Sequence, residues 1–281
     1  MNNQTENQKP AFPNVIQMML LASPFTLSAA ELEAYLREAL DNQSVSVQGS
    51  DESEGCFMIT WGGLIFTIMS IDKPIPADEF DVALRTSFRL KNGENLIKSH
   101  KAHLIISPMN AMNDQLQAIY LALRVMTIAD LLAQQSEPLA FYWNKSQVLA
   151  DCEQFSQAVR EAGDAMQKFN SNIPNALYEL PTTYLAGLRI LSSDNKSRFG
   201  AITKGLDVLT GFEIQIDPFD GKPSEVARHL YGMVGYILAN GPVFSEGNTI
   251  GMEQDKLFSM RMIPSNEELP PRWAMKLESI N

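Results

Sequence analysis

The stretch "CFMITWGGLIFTIMSI", Cys56 to Ile71, reads as two apolar strands flanking Gly62-Gly63. Adjacent glycines supply the positive φ angles that a two-residue hairpin turn needs, and the flanking runs are rich in β-branched and aromatic residues. A hairpin is antiparallel by construction, so the fold is not purely parallel. Upstream, "VIQMMLLA" (Val15 to Ala22) reads as a buried strand behind a polar tail over residues 1–14. A helix follows: Ser28 is placed as its N-cap, Glu31 completes a capping box, and Leu32, Leu36, Ala39 and Leu40 recur at helical spacing. "PADEFDVALRTS" is a short helix candidate.

Downstream, "AHLIISP" (Ala102 to Pro108) is a strand, "NDQLQAIYLALRVMTIADLLAQQ" a long amphipathic helix and "PLAFYW" a strand ending at Trp143. Ser23-Pro24 and Trp61 in the first stretch recur as Ser107-Pro108 and Trp143 at nearly one offset, which predicts a duplicated βα unit. "QVLADCEQFSQAVREAG" and "AMQKFNSNI" read as helices, "PNALYELP" as a linker and "TTYLAGLRILSS" as a strand. "GAITKGLDVLTG" reads as a short helix closed by Gly211, "FEIQID" as a half-buried strand, and "SEVARHLYGMVGYILANG" as a helix with a serine cap. "KLFSMRMI" is the last strand before a loop, "PSNEELPPRW". Interleaved elements of both kinds give an α+β class with mixed, largely antiparallel sheets. The domain expectation is one unit over 15–281, with pseudo-repeat halves at 15–98 and 99–180 and a carboxy-terminal unit at 181–281.

At 281 residues and 45% hydrophobic content, the chain can bury a sizeable core. Its apolar runs fall short of a bilayer span, and no apolar signal core follows a basic start, so the expected compartment is the cytoplasm, with no membrane partner. Thirty-three Asp and Glu stand against 22 Lys and Arg, a net charge of −11. Such a surface repels nucleic acid and anionic lipid and attracts basic proteins. The two cysteines, Cys56 and Cys152, read as buried inert thiols, and the fourteen methionines as adaptable core filler.

Catalytic signatures are missing from the sequence. "VFSEGNTIGM" (Val243 to Met252) lacks the lysine of a phosphate-binding loop and precedes a strand, so it reads as a tight turn. There is no GxSxG, HExxH or CxxC. His100 and His103 would face opposite sides of a strand, His103 reads as a strand-edge residue satisfied by hydrogen bonds, and His229 as a helix-surface or boundary residue. No catalytic residue, metal ligand or cofactor is assigned. Partner-binding candidates are the loop acids Asp51, Glu52 and Glu54 in "GSDESEG", and Glu267 and Glu268 in "SNEELPP". A hydrolase with a dispersed site, tested first at His103, Glu213 and Glu246, and a regulatory or adaptor module are the alternatives to a binding protein.

"LTGFEIQID", "VARHLYGMVGYILANGPVF" and "EGNTIGM" occur in an order that resembles a bacterial family known only as domain of unknown function 4261. "AHLIIS" and "LAFYWNKSQVL" resemble earlier segments of the same family, so the likeness runs from Ala102 to Ile263. Its turn reads Asp-Gly-Asp where this chain has Glu246-Gly247-Asn248, one acid fewer, which would weaken any cation site there. The family brings no assigned reaction. Small acidic proteins of this kind look like immunity proteins encoded beside secreted antibacterial toxins, such as those of type VI secretion in interbacterial competition. The expected partner is a cognate toxin domain, a nuclease or an ADP-ribosyltransferase.

Overall fold

The computed structural model describes residues 14–40, 44–49, 55–87, 89–193, 197–253, 256–267 and 269–278. Their order begins with β1 (Gln17–Leu21), α1 (Ala29–Ala39), β2 (Val45–Gly49), β3 (Cys56–Trp61) and β4 (Leu64–Ile71). After a 3-10 turn at Ala77–Phe80 come α2 (Asp81–Thr86), α3 (Gly93–Ser99), β5 (Ala102–Pro108), α4 (Gln115–Ala133), β6 (Pro138–Trp143), β7 (Val148–Ala150) and α5 (Cys152–Asn170). A second 3-10 turn, Ala176–Glu179, leads to α6 (Thr182–Leu185), β8 (Gly187–Ser192), β9 (Arg198–Lys204), α7 (Asp207–Thr210), β10 (Glu213–Asp220), α8 (Pro223–Asn240), β11 (Thr249–Glu253), β12 (Lys256–Ile263) and β13 (Arg272–Leu277).

The hairpin forms as read. Trp61 pairs with Leu64 across Gly62 and Gly63, whose φ angles are 60° and 80°. It belongs to a seven-stranded sheet ordered β2-β3-β4-β5-β1-β6-β7, and a six-stranded sheet is ordered β11-β12-β13-β10-β9-β8. Among the described strands, β10 with β13 is the one parallel pairing, so the α+β class with largely antiparallel sheets holds.

Alternation along β1 explains how the first sheet is covered. Met19 and Leu21 enter the main core with α1, α4 and α5, whereas Leu20 enters a smaller cluster under Phe80, Ala83 and Ile97. Phe141 and Trp143 of β6 divide from Ala140 and Tyr142 in the same way. The main core continues into the second sheet through α8, whose Val226, Leu230, Val234, Ile237 and Leu238 cover Ile214, Ile216 and Phe258. Gln115, at the start of α4, donates to the carbonyls of Ile237 (2.8 Å) and Leu238 (3.2 Å) at the end of α8.

Several sequence readings need correction. "QVLA" is β7, and α5 is one helix capped by Asp151, because Val148 to Ala150 pair with β6. "TTYL" is a helical turn ahead of β8, and "GAITK" is strand β9; only "DVLT" is helix, closed by Gly211. Lys222, with Pro223 behind it, caps α8 in place of a serine. Helix α3 and strands β11 and β13 were not anticipated. Helix α4 is not plainly amphipathic: strands β1 and β5 and helices α5 and α7 surround it, which blurs its period, and ten of its 19 residues are buried. It also corrects the reading of short apolar runs, since by length and composition it could cross a bilayer; 56% of its apolar window lies inside the fold.

The two proposed halves share the first sheet. β1 and β5 are central neighbours, so a strand of the first half lies between two strands of the second. Trp61 lies on β3, three places from β1, and Trp143 on β6, two places from β5. Their surroundings differ too: the Arg124 guanidinium sits 3.6 Å above the Trp61 ring, whereas Trp143 packs on Tyr184 at 5.7 Å.

Candidate functional site

The residues proposed from sequence divide. Asp51, Glu52, Glu54 and Glu268 lie outside the described residues, and Glu267 is exposed on the loop before β13. His103 is buried on central strand β5, not at a sheet edge, and its Nδ1 bonds the Lys73 carbonyl at 2.8 Å. Burial is the main influence on that imidazole and lowers its pKa, with the Lys73 bond opposing. His100 is also buried: its Nε2 accepts from the Ile75 amide at 2.8 Å, which leaves Nδ1 to donate to the Ile97 carbonyl. His229 lies buried between the Phe219 and Phe258 rings, with Nε2 3.8 Å from Glu225, rather than on the helix surface. Cys152 is exposed at the start of α5, not buried. Partial desolvation and then Asp151 raise its thiol pKa, so it remains a poor nucleophile at neutral pH.

Glu246 has a structural task. Its Oε2 accepts from the Met262 amide at 2.7 Å, and Asn248 Oδ1 accepts from the Ser245 amide at 2.8 Å. "EGNTIG" is therefore a turn fastened to β12, entering edge strand β11. His103, Glu213 and Glu246 stand on different elements, each held by its own partners, and no hydrogen bond joins any two of them.

Among the described residues, Glu213 is the one buried acid. Only 1% exposed, it accepts from Thr203 Oγ1 (2.6 Å) and from the amides of Gly205 (2.6 Å) and Leu206 (3.2 Å). Thr203 Oγ1 in turn accepts from the Ile214 amide at 2.8 Å. The carboxyl thus replaces the ladder where β9 turns away into α7. Burial first, then the neighbouring Asp207 carboxylate, raises its pKa to about 7 against the lowering by Thr203 and Gly205. Gly205 (φ 78°) lies against the Ser146 backbone, which a Cβ would strike, and Gly187 lies as close to the Ser146 carbonyl. These close approaches press the Asn144–Gln147 turn of the first sheet onto the second.

Among the clefts of the described residues, two adjoin these elements. One, of about 700 Å³, runs between α8 and β11. It carries aromatics left open to solvent: Tyr178 and Tyr236 are 40% and 39% exposed, and neighbouring Val243 is 48% exposed. Tyr236 lies 6.5 Å from Tyr178 edge-on and 6.4 Å from Phe244 stacked, and Phe244 lies 6.0 Å from Trp273. Asn240 donates to the Tyr178 hydroxyl at 2.8 Å and steadies the row. The sequence reading missed these residues. The available signal was Tyr236 on α8 away from its apolar stripe. The other cleft, about 480 Å³, lies between α5 and the β8 side of the second sheet.

These features define an α+β protein of two largely antiparallel sheets with helices packed between them and an open aromatic groove on the second sheet. The family model described as Domain of unknown function (DUF4261) matches residues 202–278, from the end of β9 through β13. The match contains Glu213, Tyr236, Phe244 and Trp273 and leaves out "AHLIIS" and "LAFYWNKSQVL". No curated protein matches the chain, and no solved structure does.

Proposed function

We propose that this protein is an immunity protein, which binds a cognate antibacterial toxin domain in the bacterial cytoplasm and blocks it by occupying its surface. The observation that carries the reading is the row Tyr178–Tyr236–Phe244, whose two tyrosines are open to solvent on a body of net charge −11. Tyrosines give large contact area with few rotatable bonds and often anchor interfaces. The negative body attracts a basic partner and accelerates encounter. A toxin domain that handles nucleic acid or a nucleotide, a nuclease or an ADP-ribosyltransferase, offers such a basic surface. The loop acids Asp51, Glu52, Glu54, Glu267 and Glu268 remain the proposed partner-binding acids, offered to arginines and lysines of the toxin domain.

The test is co-expression with the toxin domain encoded beside the gene, scored by growth and by isolation of a one-to-one complex. Wild type is expected to restore growth. Replacing Tyr236 with alanine should weaken the complex by at least about tenfold, the scale of a truncated interface anchor. A toxin that stays fully active in the presence of folded wild-type protein removes the reading.

A further inference from the structure

The cleft between α5 and β8 has a lining unlike the rest of this acidic chain. Arg89, Lys91 and Arg160 reach it, against Glu153 and Glu161. Arg89 and Lys91 make no ion pair among the described residues, whereas Arg37, Arg85, Lys98 and Arg261 each face a carboxylate. Both acids stand on α5. Glu161 already accepts from Gln157 Nε2 at 2.9 Å, and Gln157 Oε1 accepts from Arg160 at 2.8 Å. Gln154 Nε2 donates to the Arg89 carbonyl at 2.7 Å and fixes the backbone that carries the two uncommitted cations.

The interior of the cleft is chemically divided. Leu149, Ala150, Ala158 and Leu188 give it an apolar floor. Tyr231, on α8, is half-buried and lines it, and no hydrogen bond from its hydroxyl is formed among the described residues. Burial raises that phenol to about 12, with Arg89 close enough to pull the other way, so the group is a neutral donor at physiological pH. A volume of about 480 Å³ is in the range of small-molecule sites, which pair an apolar lining with a few placed polar groups.

We infer that this cleft binds a small organic anion, a phosphate monoester or carboxylate with an apolar body, its charged head held by Arg89 and Lys91 with the Tyr231 hydroxyl, and its body on Leu149 and Leu188. The site is independent of the aromatic groove, and its occupancy does not depend on a toxin partner.

Isothermal titration of the full chain with phenyl phosphate, 3-phenylpropionate and inorganic phosphate tests the assignment. Phenyl phosphate or 3-phenylpropionate should bind at millimolar concentration or below, and more tightly than inorganic phosphate, because only they fill the apolar floor. The double variant Arg89→Ala/Lys91→Ala replaces exposed side chains and should fold normally by circular dichroism. Its binding should be at least about tenfold weaker, as expected when a charge-assisted hydrogen bond is lost. Tyr231→Phe should weaken binding severalfold without altering the fold. No binding of either organic probe to wild type, or equal binding to wild type and a folded double variant, overturns the assignment; so does binding no tighter than that of inorganic phosphate.

Discussion

Glu213 is where side-chain chemistry departs furthest from its sequence pattern. In "FEIQID" the acids alternate with apolar residues and read as solvent-facing. Glu213 instead points inward, because the turn into α7 leaves the Gly205 and Leu206 amides in need of an acceptor that strand pairing does not supply. A carboxyl raised from 4.5 to about 7 binds a proton more tightly folded than unfolded. Its contribution is therefore fully present below about pH 4.5 and is lost as pH rises through 7, by at most about 3 kcal/mol at roughly 1.4 kcal/mol per unit. Urea unfolding at pH 5 and pH 8 should show this loss in wild type. In Glu213→Gln the difference between the two pH values should shrink. Equal differences in both proteins would show that Glu213 does not titrate in this window.

At the level of elements, errors arose where a strand and a helix adjoin without a break. "QVLADCEQF" carries helical composition throughout, yet β7 ends and α5 begins at Asp151, whose side chain accepts from the Gln154 amide at 2.9 Å. The cap is visible in the residues, but Val148 to Ala150 become a strand only because β6 is there to pair with them. Helix α5 offers a two-way test of its local energetics. Asp151→Ala removes the capping box and should cost about 1 kcal/mol. Gly163 lies exposed in mid-helix with nothing within 4 Å of an added Cβ, so Gly163→Ala should gain roughly 0.5–1 kcal/mol. Thermal melts of the two variants should move in opposite directions, and a fall for Gly163→Ala would contradict the open surroundings. The capping box of α1 was legible in full: Ser28 and Glu31 bond reciprocally, and the Ser28 bonds lower the Glu31 pKa.

On the scale of the whole molecule, the net charge of −11 makes its own prediction for complex formation. Raising salt from low to physiological strength shortens the range of the field, so association with a basic toxin domain should slow about tenfold or more while dissociation changes little. Stopped-flow mixing at several ionic strengths separates the two rates. A salt-independent association rate would assign the acidity to solubility alone.

The sequence by itself determined the hairpin at Gly62-Gly63, the cap of α1, the Gly211 stop and the largely antiparallel α+β class, because each depends on neighbours a few residues apart. Tertiary structure alone decided the rest. It placed β1 of one proposed half beside β5 of the other, and it turned "RWAMKL" into a strand parallel to β10. It also gathered Arg89, Lys91 and Tyr231 at one cleft from α8 and the segment after α2. Pairing, burial and charge neighbourhoods are set by contacts between residues far apart in the chain, and local periodicity carries no record of them.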